Sequence, residues 1–269
     1  MKVVYIAHSG FCVELLRHVL LFDYFTGKLP EWDSGKELVV FASHRHQDHF
    51  NVKVLKLAEQ YERVRFVLGS DVRLKEDWLE KKGIDPAVLS KASFIRPGTA
   101  LYLPDGGESV RESDWEGEAA PFEGEKEGVC VRALRSTDEG VAFLVETEGK
   151  RFYHAGDLNW WHWEEEGKAW NRNMEVSYKK EIDRMAGQYV DVAFVPLDPR
   201  LGRAYGWGME YFLQKVSAGH VFPMHMWEEY GYIGKYKEEH ADADRMVTIH
   251  DRGEAFLIEG EACPPTAGA

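Results

Sequence analysis

Between Ser43 and Phe50 the chain reads SHRHQDHF, which sets His44, His46, Asp48 and His49 within six positions. Imidazole nitrogens and carboxylate oxygens are the donors that suit zinc and similar divalent ions. One histidine in a polar loop is ordinary. Four ligand-type residues in an H-x-H-x-D-H frame are not, and they point to a metal centre. In extended backbone, residues two apart point the same way, so His44 and His46 can reach one ion. Asp48 and His49 follow where the chain turns and can face a second point nearby. Two later segments offer further donors. FYHAGDL carries Asp157 in a glycine-containing turn, and VFPMHMW carries His225. Alone, an Asp after Gly is a turn residue and a His among aromatics is a satisfied core group. Beside the first cluster both read as ligands.

The elements that must position these residues are legible as apolar runs. ELVVFAS is a buried strand that delivers the chain to His44, and NVKVLKLAEQYE reads as the following helix, with Asn51 as its cap. KVVYIAH, FCVELL and HVLLFD open the chain as strands, VRFVLG is a strand before a helix in DVRLKEDWLEKKG, and ASFI and TALYL are short strands. VCVRALR, VAFLVET and KRFYHAG form a meander. EVSYKKEIDRMAG reads as a helix, VDVAFVPLD as a buried strand, MEYFLQKVSAG as a helix ending at Gly219, HVFPMH as a strand, IGKYKEEHADADRM as a helix and EAFLIEG as the last strand. The expected organisation is one α/β domain over residues 1–260, two sheets face to face with helices outside, and a mobile tail at 261–269. Residues 105–127 hold nine acidic and two basic side chains and read as an acidic surface insertion or hairpin tip.

Composition bounds the partners. Of 269 residues 44% are hydrophobic, enough for a sizeable core, and the net charge is −13. Nucleic acid and anionic membrane surfaces are excluded as partners on that charge. A small anionic substrate is compatible with it, because a bound metal reverses the local field. Cys12, Cys130 and Cys263 are far apart and form no C-x-x-C pair, so a cytoplasmic protein without disulfides is expected. No apolar run reaches the roughly 20 residues of a membrane span. Oligomeric state is left open.

SHRHQDH, YHAGD and FPMH, in that order, resemble the metallo-β-lactamase superfamily of metal-dependent hydrolases. The opening HSGFCVEL and the compact length are similar to its ascorbate-6-phosphate lactonase-like branch. The resemblance implies a four-layer αββα sandwich of the α+β class, with the site at one edge between the sheets. It implies that His44 and His46 hold one metal, that Asp48, His49 and His225 hold a second, and that Asp157 bridges. The family's third histidine for the first metal has no counterpart, since no histidine lies between His49 and His154. ALRSTDEGVAF stands in its place and offers Asp138 as a replacement ligand, or Ser136, a poorer one. The second position is therefore expected to fill more readily, with one or two ions, zinc first and manganese or iron as alternatives.

The chemistry that follows is attack by metal-activated hydroxide on a small ester, lactone or phosphoester, with Asp48 both ligating and orienting the water. The alternatives are a phosphodiesterase or nuclease of the same superfamily, opposed by the charge, and a non-catalytic metal-binding protein. The diiron relatives carry an acidic residue where His46 stands, which weakens that reading. For substrate contacts, Trp160 and Trp227 are selected from the tryptophans after Asp157 and His225, although each alone reads as core. Arg200 reads equally as a carboxylate or phosphate clamp and as a partner of Asp198. His8 reads first as a surface histidine and second as a group behind the ligands or a general acid.

Overall fold

The computed structural model describes residues 1–115, 127–241 and 243–259, with backbone alone for 110–114. The tail at 261–269 and residues 116–126 of the acidic stretch lie outside the described residues. The strands in chain order are β1 (Lys2–Ala7), β2 (Gly10–Glu14), β3 (His18–Phe22), β4 (Glu37–Ala42), β5 (Val64–Gly69), β6 (Ala92–Ile95), β7 (Thr99–Pro104) and β8 (Val110–Asp114). They continue as β9 (Gly128–Arg135), β10 (Val141–Thr147), β11 (Lys150–His154), β12 (Tyr189–Pro196), β13 (Ser217–Met224) and β14 (Ala255–Leu257). Among the described residues they form two seven-stranded sheets. One has the order β14-β1-β2-β3-β4-β5-β6, the other β13-β12-β11-β10-β9-β7-β8.

The apolar runs explain why these are strands. Successive side chains point to opposite faces, and a strand covered on both sides is apolar at nearly every position. In β4 all six residues are buried. Val39 and Phe41 join the core between the sheets, while Leu38, Val40 and Ala42 face the outer layer. The same split holds in β3, with Leu20 and Phe22 inward and Val19 and Leu21 outward. The outer layer of the first sheet uses Val54, Leu57 and Leu79, from a 3-10 turn at Val52–Lys56, from α1 (Leu57–Gln60) and from α2 (Glu76–Lys81). The second sheet is covered by α3 (Lys168–Asp183), through Tyr178 and Ile182, and by α4 (Trp207–Lys215), through Met209 and Phe212. A further helix, α5 (Gly231–Glu239), adds Ile233 and Tyr236. The result is the expected four-layer α+β sandwich.

Several local expectations are corrected. The helix after His49 is a 3-10 turn plus a single α-turn, although Asn51 does cap it by accepting the Lys53 N–H at 3.0 Å. The helix expected to end at Gly219 ends at Lys215. Val216 turns extended, and residues 217–219 open β13, where parallel pairing with β12 outweighs the helical pattern. The helix in the 168–183 segment starts before the expected Glu175, and α2 and α5 are shorter than expected. Within the acidic stretch, β8 pairs antiparallel with β7 at the edge of its sheet.

Parallel pairing is what gathers the site. β3 pairs parallel with β4, and β11, β12 and β13 are parallel to one another, so their carboxyl ends lie side by side. Asp23 follows β3, His44 follows β4, Asp157 follows β11, Asp198 follows β12 and His225 follows β13. His8 follows the last residue of β1. Loops at the ends of a rigid sheet are held in place without being buried in it.

Candidate metal centre

Six donors expected from the sequence converge at this edge. His44, His46 and Asp157 each bring one ligand atom within 4.8 Å of the others, and Asp48, His49 and His225 do the same in a second group. Asp157 joins the two groups. Its Oδ2 lies 3.3 Å from His44 Nε2, and its Oδ1 lies 3.1 Å from His49 Nε2 and 3.4 Å from His225 Nε2.

The remaining ring nitrogens are fixed from behind. His49 Nδ1 donates to Asp23 Oδ2 at 2.7 Å, and His225 Nδ1 donates to Asp198 Oδ2 at 2.8 Å. The Ser43 hydroxyl donates to Asp23 at 2.6 Å, so its oxygen is free to accept His44 Nδ1–H at 2.9 Å. The His49 and His225 rings therefore turn an unpartnered Nε2 inward, while His44 Nε2 meets His46 Nδ1 at 3.0 Å. Sequence reasoning missed Asp23 and Ser43 and knew Asp198 only as a partner for Arg200. The available signal was the polar residue that ends each apolar run.

The donor set fits a divalent cation on a direct observation. His49 Nε2, His225 Nε2 and Asp157 Oδ1 are buried and have no hydrogen-bond partner, as does His8 Nε2. The His–Asp distances above are short, but no hydrogen is aligned along them. Buried polar atoms are normally paired, and several orphans facing one point mark a place where a cation binds. With no ion present, burial pushes the Asp157 carboxyl up, yet the charges of His49 and His225 outweigh it and hold it well below the usual range. Burial pushes His49 down, but the Asp157 and Asp23 carboxylates raise it well above an ordinary histidine. For Asp48 burial is likewise outweighed, by the nearby His8 and His49 rings, which hold its carboxyl below the usual range. At the His44/His46 position Asp138 stands 4.0 Å from His46 Nδ1, with its carboxyl pushed up by burial and by Asp157.

A cleft of about 270 Å³ opens onto the donors. Its apolar wall is Trp161, Trp163, Trp170 and Met174, and its polar wall includes Asp48, Asp138 and Arg200. The other candidate substrate residues are placed as follows. Trp160 packs against Trp207, 5.3 Å between ring centres, under the Lys179 ammonium, and its neighbour Trp161 lines the cleft instead. Trp227 stands beside the centre, 4.6 Å from the His8 ring and under the Arg200 guanidinium. His8 is no surface histidine, being only 7% exposed. The Ser136 Oγ accepts the Asp138 N–H at 3.1 Å. Arg200 does pair with Asp198, through Nε at 3.0 Å and Nη2 at 2.6 Å, while still facing the cleft. Burial pushes the Asp198 carboxyl up, but His225 and Arg200 together hold it at about 2.

A sequence model described as a beta-lactamase superfamily domain matches residues 2–173, well over half of the chain and inclusive of the first donor cluster and Asp157. The chain belongs to the metallo-β-lactamase superfamily. Solved structures share this superfamily fold at low identity. Igni18, a novel metallo hydrolase from the archaeon Ignicoccus hospitalis, matches with a TM-score of 0.60 and 17% identity over 97% of this chain and 99% of its own. CmlA, a diiron β-hydroxylase from Streptomyces venezuelae, matches with a TM-score of 0.56 and 11% identity over 96% of this chain and 54% of its own. An isothiocyanate hydrolase from Delia radicum gut bacteria matches at 0.51 and 11%, over 96% and 99%. No curated protein matches the chain by sequence. Family membership and the His/Asp constellation together support a metal-dependent hydrolase. No helix among the described residues is long and apolar enough to cross a membrane.

Proposed function

We propose that this protein is a metal-dependent hydrolase of small ester, lactone or phosphoester substrates that carry an apolar or aromatic body. The observation that carries the reading is the set of buried, unpartnered donor atoms at the floor of a cleft with an indole wall. A divalent ion held by Asp48, His49, His225 and Asp157 would polarise a substrate oxygen and lower the pKa of water from about 15.7 toward about 7.

The residues divide the remaining work. Asp48, one-third exposed at the cleft wall, is the carboxylate placed to orient the attacking water and accept its proton. Trp161, Trp163 and Trp170 supply flat apolar surface for the substrate body and exclude water from it. Arg200, with its Nε and Nη2 occupied by Asp198, presents its remaining edge to a substrate oxygen. The likeness of HSGFCVEL to the ascorbate-6-phosphate lactonase-like branch makes lactones the first substrates to try. The net charge of −13 and the indole wall disfavour a polynucleotide.

A panel of lactones, aryl esters, thioesters and bis-p-nitrophenyl phosphate, assayed with zinc and with manganese, tests the proposal. Turnover of at least one ester or lactone is expected, with loss in His49→Ala and after chelation. Stoichiometric metal binding with no turnover of any member would replace the hydrolase by a metal-binding protein.

A further inference from the structure

The family pattern gives the second metal position Asp48, His49 and His225, with Asp157 shared. We infer that His8 is also a ligand there, so that its Nε2 completes a position of three imidazoles and two carboxylates and makes it the tight one of the pair. The inference rests on the metal-dependent reading of the site.

His8 and His154 make an instructive contrast. Both are buried. His154 is satisfied at both nitrogens, with Nε2 donating to the Ser9 carbonyl at 2.9 Å and Nδ1 accepting the Gly156 N–H at 3.1 Å. His8 Nε2 is buried without a hydrogen-bond partner, 3.5 Å from Asp48 Oδ2 and out of alignment with it. A histidine buried only for packing would not leave a nitrogen bare. One ligand atom each from His8, Asp48, His49 and His225 lies within 4.8 Å of the others. The His8 ring centre is 4.1 Å from that of His225 and 5.6 Å from that of His49.

The backbone holds His8 in that pose at some cost. Its φ is 55°, in the left-handed region, and so is that of His225 at 65°. The two residues are tied together, with His225 N–H donating to the His8 carbonyl at 3.2 Å, while His8 N–H donates to the Tyr5 hydroxyl at 2.9 Å. Strained non-glycine backbone persists where surrounding contacts fix it, and it gathers at functional sites.

The other position looks different. There His46 Nδ1 and His44 Nε2 bond to each other at 3.0 Å, and the His46 side chain is 40% exposed. The histidine lacking at that position is thus balanced by one added at its neighbour.

The test is metal titration of the full-length chain with Co(II), together with NMR of the 113Cd-loaded, 15N-histidine-labelled protein. The first equivalent of cadmium should couple to three imidazoles, and His8→Ala should remove one of them. His8→Ala should weaken the first equivalent of Co(II) by more than the roughly 10- to 100-fold that losing an outer partner costs. His46→Ala should leave the first equivalent unchanged and weaken the second. Two couplings in the wild-type protein, or an unaltered first equivalent in His8→Ala, would overturn the inference while leaving the hydrolase standing. A wild-type chain that takes up neither metal would overturn both. A purely structural His8 would lower the melting temperature of the metal-free variant but could not add a third coupling to the wild type.

Discussion

Asp23 shows how much of the centre depends on a residue that touches no substrate. It is fully buried, and its two oxygens accept the Ser43 N–H, the Ser43 hydroxyl and His49 Nδ1–H at 2.6–2.7 Å. Burial pushes its carboxyl up, but the charges of His154 and His49 and the His49 hydrogen bond hold it below the usual range. Asp23→Asn keeps the shape and removes the charge. The amide has one acceptor oxygen for donors that arrive on two, so either Ser43 or His49 loses its anchor. Metal affinity is expected to fall about 10- to 100-fold, read by calorimetric titration of the metal-free chain, with little change in the fold by circular dichroism. Affinity unchanged within a factor of about two would mean that the His49 ring is oriented by packing alone. In the sequence this aspartate was one more polar residue ending an apolar run. Its importance arises from the parallel pairing of β3 with β4, which no local pattern encodes.

At the scale of elements, the strands were read well and the helices less so. Runs such as LVVFA in β4 are buried on both faces, and that burial selects Val, Leu, Phe and Ala. Helices on the outside of a sandwich bury only one stripe, so their ends are set by contacts distant in sequence, as with the strand that begins two residues after α4. Four of the candidate donors stand out in the sequence because they are neighbours in the chain. The place of His8 beside them does not, because its contacts with His225 and Tyr5 form only through the sheets. The joint between the elements is also hidden in sequence. Gly140 precedes β10 with φ 72°, and a Cβ there would lie 2.1 Å from the Ser43 carbonyl oxygen and 2.5 Å from His44 Cβ. Gly156, before Asp157, would meet the Ser43 side chain at 2.7 Å. Both glycines let the chain press against the Ser43–His44 turn, and Val141 N–H donates to Ser43 O at 3.1 Å. In Gly140→Ala the left-handed backbone costs about 1–2 kcal/mol, and the clash moves His44. The expected result is a lower melting temperature together with weaker binding of the second metal equivalent. A variant that melts earlier but binds both equivalents normally would separate the turn from the centre.

At the scale of the whole molecule, the two sheets are also fastened at the end opposite the centre. The β10–β11 hairpin runs from the Phe143–His154 pair at the site to the Thr147–Lys150 pair at the far end, where Glu148 sits at its turn. Glu148 reaches across to the other sheet and accepts the N–H groups of Leu16, Arg17 and His18 at 2.9–3.0 Å, and His18 Nδ1–H at 2.9 Å. His18 in turn bonds to Asp105 through Nε2 at 3.0 Å. Loss of such a clamp leaves the partly buried His18 N–H groups without their acceptor, and hydrogen bonds to a charged group are worth more than neutral ones. Glu148→Ala is expected to cost about 2–3 kcal/mol, measured by urea unfolding, with metal affinity unchanged because the hairpin's other end carries the site. The pH dependence has a definite sign. Burial pushes the Glu148 carboxyl up, but the His18 hydrogen bond and the backbone donors prevail and hold it below the usual value. A depressed carboxyl contributes stability that is complete above the unfolded pKa of about 4.3 and is lost as pH falls through the folded value. Glu148→Gln, which keeps the length and one acceptor, should therefore flatten the decline of stability below about pH 4.3 while leaving its slope near neutrality unchanged. An acid limb equally steep in wild type and Glu148→Gln would assign that decline to the carboxylates of the metal edge instead, Asp23 and Asp157 first among them.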